Sequence, residues 1–271
     1  MEYLDIMTHA ELVEHMSVAR RLAEVAGKIS LEYFRKPIVV EDKKMPDNVY
    51  DPVTEADKRV EEQLRAGLNE HFPGYAIMGE EFGSEGDSDL RWVIDPIDGT
   101  RAFISGVPAW GVLLGLMDGD QCLGGLMHQP YIGETFVGYG DEALFYRGSD
   151  SQVLRTRRGA TLEDAILYCT HPFMLAEGAE RRGFDAISER CRMQRFGGDC
   201  YSYALLAHGC VDLVIEGLLQ PYDIIPMIPI IRAAGGVVTN LAGEVPVDGG
   251  TVIAAANAQL HEEAMALMRE G

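Results

Sequence analysis

Basic residues are scarce in this chain: 23 Lys and Arg stand against 43 Asp and Glu, a formal net charge of −20. Nucleic-acid partners demand a Lys/Arg surplus to neutralise phosphates, so that class of function is excluded. No apolar run reaches the roughly 18 residues that a membrane-spanning helix needs. Met1-Glu2-Tyr3-Leu4-Asp5 lacks the basic-then-apolar form of a signal peptide. The five cysteines (122, 169, 191, 200 and 210) are odd in number, scattered and without a C-x-x-C pair. A disulfide framework is therefore disfavoured and a reduced, cytoplasmic setting is expected. No histidine spacing fits a zinc site, so His128, His171 and the other five histidines read as structural or surface residues. Repeats and low-complexity tracts are absent too. What remains is an ordinary globular composition, 47% hydrophobic and 24% charged over 271 residues, enough for a large core.

Thr8-His9-Ala10-Glu11 has the form of a capping box, and Leu12, Met16, Ala19, Ala23, Ala26 and Ile29 follow at helical spacing, predicting a helix to about Phe34. A second helix starts near Thr54, puts Val60, Leu64 and Leu68 on one face and ends by Pro73. Lys36–Asp51 between them reads as an irregular, mobile flap. From Tyr75 to Tyr146 the pattern is β, with apolar stretches at 75–78, 92–94, 109–117, 122–127, 134–139 and 143–147. Arg147–Asp164 reads as a crossover, with a surface turn at Gly148-Ser149-Asp150-Ser151. Strand and helix then alternate: strands at 165–169, 193–196, 211–216, 237–239 and 252–255, helices at 184–191, 201–208, 222–234 and 259–268. Pro226 falls in the first turn of the 222–234 helix and Pro229 deeper, where it should kink the helix. A meander followed by alternation predicts a layered α/β (α+β) sandwich in two halves, 1–147 and 148–271.

The most informative stretch is Trp92-Val93-Ile94-Asp95-Pro96-Ile97-Asp98-Gly99-Thr100. It reads as a buried strand ending at Ile94, then a turn carrying two carboxylates, then a short helix over Thr100–Ile104. Carboxylate oxygens suit Mg²⁺, which is commonly shared with phosphate oxygens. A Gly-Thr step at a helix start offers backbone N–H groups to an anion. Read alone, Asp-Pro-x-Asp-Gly is equally good turn chemistry. Further acids stand at Asp51 to Asp57, at Glu80-Glu81 after Tyr75-Ala76-Ile77, and at Asp223 before Ala233-Ala234-Gly235-Gly236.

These four segments, in this order, resemble the inositol monophosphatase superfamily of Mg²⁺-dependent phosphatases, over nearly the whole chain. The resemblance implies an α–β–α–β–α sandwich of the sugar phosphatase type, with the metal site between halves and a homodimeric assembly. It implies Glu80, Asp95, the Ile97 carbonyl, Asp98 and Asp223 as Mg²⁺ ligands, with Asp57 and Thr100 holding the attacking water. Glu80 and Asp95 are assigned to the ion that activates that water. Asp95, Asp98 and Asp223 are assigned to a second ion on the leaving-group side. Asp98 and the N–H groups of Gly99 and Thr100 would meet the phosphate. Thr54 with Asp57 is also a plain helix cap pair, and Asp223 an ordinary N-terminal helix residue. Glu81 reads as a solvated or supporting acid.

Gln194-Arg195-Phe196-Gly197-Gly198-Asp199-Cys200-Tyr201, Asp212–Glu216, Gln220–Asp223, Thr100–Gly106 and His128-Gln129-Pro130 resemble the histidinol-phosphatase branch of that family. Asp199, Glu216 and Arg195 are the expected substrate-binding residues, since paired acids favour a cationic substrate. An inositol-type pocket also uses an acid at the Glu216 position, accepting from a hydroxyl. Three readings follow: a histidinol-phosphate phosphatase, an inositol 1-phosphate or broad sugar phosphatase, and a non-catalytic regulatory protein on the same fold.

Overall fold

A computed structural model describes residues 7–42 and 52–271. Helix α1 (His9–Tyr33) begins with the expected capping box: Thr8 N–H donates to Glu11 Oε2 at 2.7 Å, and Glu11 N–H returns to Thr8 Oγ1 at 3.3 Å. Strands β1 (Val40–Asp42) and β2 (Pro52–Thr54) pair antiparallel just before helix α2 (Glu55–His71). Residues 43–51 of the expected flap lie outside the described residues.

The first sheet has eight strands in the order β10-β9-β8-β7-β6-β5-β3-β4. They are β3 (Ala76–Gly79), β4 (Gly83–Glu85), β5 (Leu90–Asp98), β6 (Gly111–Asp118), β7 (Gln121–Gln129), β8 (Glu134–Tyr139), β9 (Glu142–Arg147) and β10 (Asp150–Val153). The turn expected over 148–151 is shorter than read. Asp150 and Ser151 already pair with Arg147 and Tyr146, so the chain leaves this sheet only after Val153. Helix α3 (Thr100–Ser105) follows β5.

The second sheet has the order β12-β11-β13-β15-β14. Its strands are β11 (Ile166–Cys169), β12 (Met193–Phe196), β13 (Leu213–Leu219), β14 (Val237–Asn240) and β15 (Gly250–Ala255). Its helices are α4 (Ala179–Arg190), α5 (Asp199–Ala207), α6 (Pro221–Ile224), α7 (Met227–Ala233) and α8 (Ala258–Glu270).

Strand alternation sorts the core into layers. Val112, Leu114 and Leu116 face α1 and α2 with Trp92 and Ile94, while Leu113 faces the opposite way, toward α5 and α7. In the second sheet Val214, Val252 and Ala254 join that middle helical layer, and Leu213, Ile215, Ile253 and Ala255 pack on α4 and α8. The architecture is α–β–α–β–α, an α/β layered sandwich.

The single helix expected over 222–234 is two, and the break falls at Pro226 rather than Pro229. Ile225 N–H still donates to Pro221 O at 3.0 Å, but Pro226 has no N–H to continue the ladder and instead caps α7. Pro229 then lies in the first turn of α7, where no intrahelical N–H bond is required. This broken segment lies on a row of glycines: Gly115 pairs with Gly125, and Gly125 with Gly138, across β6, β7 and β8. A Cβ on Gly125 would lie 1.9 Å from Pro226 O, and one on Gly138 would lie 2.4 Å from Ile230 Cα. Helix backbone therefore rests directly on sheet backbone, which brings Asp223 over the end of β5.

Candidate active site

Residues three apart on a regular strand point to opposite faces. Asp95 and Asp98 escape this because β5 does not stop at Ile94 as the sequence suggests. It continues through a β-bulge: Asp95 pairs with Leu113 and Asp98 with Gly111, three steps against two. The extra residue restores the phase and points both carboxylates to one side. Pro96 sits where the ladder is interrupted, so its missing N–H costs no regular pair.

Each acid is held by backbone donors. Asp95, 1% exposed, accepts from Ile97 N–H at 3.1 Å. Asp98 Oδ2 accepts from Cys200 N–H at 2.7 Å, in the first turn of α5, joining positions 102 residues apart. Asp223 Oδ2 accepts from Gln220 N–H at 2.7 Å in the capping arrangement of α6. Capping and clustering coexist at Asp223. Ligand oxygens of Asp95, Asp98 and Asp223 lie within 4.8 Å of one another.

Glu80 joins them through sheet register. Strands β3 and β5 run parallel with Gly79 opposite Ile94, so the next residues, Glu80 and Asp95, are neighbours, and Glu80 N–H donates to Ile94 O at 3.3 Å. The Glu80 carboxyl hydrogen-bonds the Asp95 side chain. Burial first, and then the charges of Glu80, Asp98 and Asp223, push the Asp95 carboxyl well above the usual range. Asp223 rises for the same reasons, burial leading, and burial also raises Asp98 against the opposing pull of Cys200. Crowded, desolvated carboxylates of this kind ionise together only beside a cation. An all-oxygen donor set of this geometry fits a hard divalent ion.

Asp57 lies in the first turn of α2. Its Oδ2 accepts from Thr54 N–H at 2.8 Å and Thr54 Oγ1 at 2.5 Å, closing a capping box, while Oδ1 faces Thr100 Oγ1 at 3.4 Å. The cap and the site contact are both present. Burial pushes its carboxyl up to about 6, against the lowering effect of the Thr54 hydrogen bonds. Thr100 Oγ1 also reaches Ile97 O at 3.2 Å, and its one proton serves one acceptor at a time. Gly99 begins α3 at φ 83°, and a Cβ there would lie 3.0 Å from Asp199 Cβ and 3.2 Å from Trp110 Cα. Glycine is required on both counts.

Asp199 and Glu216 sit together on the other side. Asp199 N–H donates to Thr170 Oγ1 at 3.1 Å, and Thr170 N–H donates to Glu216 Oε1 at 2.8 Å, with the Thr170 hydroxyl also donating to that oxygen. Burial, then the charges of Asp98 and Glu216, push Asp199 up to about 8. Burial likewise raises Glu216 to about 7 against its Thr170 bonds.

Arg195 does not join them. It is exposed on edge strand β12, opposite Tyr168, with no hydrogen bond or ion pair to either acid. Arg101, adjacent to Thr100, is the cation whose charge lowers Asp199. Asp212, from the same motif as Glu216, is structural: it takes a two-pronged ion pair from Arg157 at 2.6 and 2.8 Å and the Ile166 N–H at 2.8 Å. His128 is structural as well. Its Nδ1 bonds Thr135 Oγ1 at 2.8 Å, and burial lowers it to about 4. Thr170 and the glycine row have little signature in the sequence. Thr170 carries no distinctive spacing, and Gly124-Gly125 within a β stretch was the one local hint of close backbone approach.

The inositol monophosphatase family model matches residues 11–271. The chain is 35% identical to the chloroplastic bifunctional phosphatase IMPL2 of Arabidopsis thaliana, over 96% of this chain and 76% of that one. It is 33% identical to a histidinol-phosphatase of Streptomyces coelicolor, over 96% and 98%. Among solved structures, an inositol monophosphatase from Zymomonas mobilis superposes with a TM-score of 0.83 at 36% identity, covering 97% of this chain and 99% of that one. Metal dependence is a property of the family, and the acidic cluster matches it. The chain belongs to the inositol monophosphatase family and is a phosphomonoesterase acting on small phosphorylated substrates.

Proposed function

We propose that the enzyme is a Mg²⁺-dependent, cytoplasmic histidinol-phosphate phosphatase, converting L-histidinol phosphate and water to L-histidinol and phosphate. The observation that carries the substrate is the Asp199–Glu216 pair, two acids beyond the metal-side cluster whose carboxyls burial holds near 8 and 7. A protonated amine on the leaving group would let them ionise, and a neutral polyol would not. Relatives of this chain in Streptomyces coelicolor and Chlorobaculum parvum named histidinol-phosphatase support the same choice. That all five cysteines are free fits a reducing compartment.

In this reading Glu80, Asp95, the Ile97 carbonyl, Asp98 and Asp223 hold Mg²⁺. When bound, the metal supplies positive charge that offsets the phosphate dianion, acidifies water and stabilises the leaving alkoxide. Thr100 donates its hydroxyl proton to Asp57, which frees the Ile97 carbonyl and turns the Thr100 lone pair to the attacking water. The N–H groups of Gly99 and Thr100 donate to the phosphate, beside Asp98. Asp57 keeps Oδ1 available for Thr100 because both Thr54 bonds go to Oδ2. Asp199 and Glu216 receive the amine.

The second reading is inositol-1-phosphatase activity, favoured by the 36% identity to the Zymomonas mobilis inositol monophosphatase. Glu216 would then accept from a substrate hydroxyl. Specific activity of the purified protein on histidinol phosphate, inositol 1-phosphate, fructose 1,6-bisphosphate and adenosine bisphosphate decides between them. The expected order puts histidinol phosphate first, and preference for inositol 1-phosphate overturns the proposal.

A further inference from the structure

Asp57, Glu61 and Arg65 follow at four-residue spacing on α2, and therefore share one face of the helix. Glu61 is 0% exposed and Arg65 9%, although they sit in the same stripe as Val60, Leu64 and Leu68. A buried ion pair stabilises little compared with apolar residues of the same volume, so its presence in this stripe points to a task beyond filling the core.

The contacts show where the pair is directed. Glu61 Oε2 accepts from Glu81 N–H at 2.7 Å, and Oε1 accepts from Phe82 N–H at 3.2 Å and from Arg65 Nε at 2.8 Å. Both backbone donors belong to the three residues, Glu80 to Phe82, that join β3 to β4. Arg65 grips the far side of the same hairpin through Gly83 O and, at 3.2 Å, the Glu85 carboxylate. The approach is close: a Cβ on Gly79 would lie 2.0 Å from Glu61 Oε1 and 2.8 Å from Arg65 Nη2, so a side chain there would displace both head groups. The hairpin end that presents Glu80 to Asp95, and puts the Glu81 charge near Asp57, is thus clamped to the helix that carries Asp57.

We propose that Glu61 is a positioning residue for catalysis. Its carboxylate, balanced by Arg65, fixes the Glu80–Phe82 backbone so that Glu80 and Asp57 are held in one frame by a single helix face. The inference rests on the reading of Glu80 as a metal-binding residue. Glu80 keeps one sheet-type bond to Ile94, whereas the Glu81 and Phe82 N–H groups depend on Glu61, and supporting partners of metal ligands commonly set affinity by about 10–100-fold.

The experiment compares the full-length wild type with Glu61→Gln, Arg65→Lys and Glu80→Gln. Mg²⁺ affinity is read by calorimetric titration and by the rise in Tm on adding Mg²⁺, alongside the Mg²⁺ dependence of kcat. Glu61→Gln should weaken Mg²⁺ binding about tenfold or more while kcat at saturating Mg²⁺ falls less than the affinity does. Unchanged Mg²⁺ affinity, with only a lower Tm in chelator, would make Glu61 a structural residue and overturn the proposal. If Glu61→Gln does not fold, Arg65→Lys takes its place, since it keeps the charge but loses the two-sided grip. It should weaken Mg²⁺ binding in the same direction by a smaller factor, and an unchanged affinity overturns the proposal equally. Glu80→Gln separates the two layers of argument. If it leaves Mg²⁺ affinity intact, the ligand reading itself fails. If it weakens binding while the Glu61 and Arg65 variants do not, only the positioning role fails.

Discussion

Asp95, Asp98 and Asp223 crowd their oxygens within 4.8 Å of one another, whereas Asp199 and Glu216 are tied to a common threonine, one through its backbone N–H and one through its carboxylate. The first group is assembled by a strand bulge in the eight-stranded sheet and the broken helix that follows β13. The second group lies wholly on and beside the five-stranded sheet, at the start of α5 and on β13. Mutual repulsion is intense in the first, and only a multivalent cation can ionise it fully. The second needs no more than one positive charge. On the proposed reading, the difference divides the site by the kind of cation each side would accept: a metal against the phosphate, an organic ammonium against the leaving group.

The largest test of this division is removal of the metal. Chelation should abolish turnover on every substrate, and added Mg²⁺ should restore it. Turnover that survives exhaustive chelation would mean that the acidic cluster needs no metal. Next in size is Asp98→Asn, which keeps an acceptor for Cys200 N–H but removes a charge facing the cation. kcat should fall on the order of a hundredfold or more, a few kcal/mol of barrier, while Tm in chelator holds or rises because repulsion is relieved. Near-normal kcat at saturating Mg²⁺ would reduce Asp98 to a helix-capping role.

Glu216→Gln tests the Asp199–Glu216 side. Its Oε1 can still accept from Thr170, so the local fold is preserved, but the charge is gone. A charge-assisted hydrogen bond is worth about 1.5–3 kcal/mol, so kcat/KM on histidinol phosphate relative to a neutral sugar phosphate should drop roughly ten- to a hundredfold. Equal losses on both substrates would mean that Glu216 supports the site without reading the amine.

The smallest effect is on stability against pH. Asp57, Glu216 and Asp199 have native carboxyls raised to about 6, 7 and 8, above their unfolded values. The native state therefore holds more protons than the unfolded one across the window from the usual carboxylate range up to about 8, so stability falls as pH rises through that window. In chelator, Tm should be higher near pH 5.5 than near pH 8, at about constant ionic strength. Added Mg²⁺ should raise Tm more at the higher pH, where fewer protons must be displaced. A metal-free Tm that climbs between those values contradicts the assignment of raised carboxyls.

Local patterns predicted most of the elements because their signals are local. The Thr8–Glu11 capping box and the Val60-Leu64-Leu68 stripe each encode structure within a few residues. The short strands β4 and β10 carry no such signal, since Gly83–Glu85 and Asp150–Val153 are exposed and have no apolar alternation to read. Glu61 and Arg65 left a trace, charges at i and i+4 inside an apolar helical stripe, but only their partners in the hairpin give that trace a meaning.

The sequence by itself determined the inventory of acids, the Asp-Pro-Ile-Asp-Gly-Thr stretch and the α–β order, because residue types and periodicity are carried by near neighbours. Only the tertiary structure decided how those acids converge. Asp95 and Asp98 share a side because pairing with β6 creates the bulge, and nothing in the stretch itself states its partner's register. Asp223 reaches them because three glycines on three strands line up under Pro226 and Ile230, a coincidence of registers spread over 24 positions of chain from Gly115 to Gly138. Arg195, four residues before Asp199, stays outside because β12 is an edge strand that leaves it exposed to water. Proximity along the chain is a backbone property, whereas convergence at a site is a property of how strands and helices dock, and that is settled by packing between residues far apart.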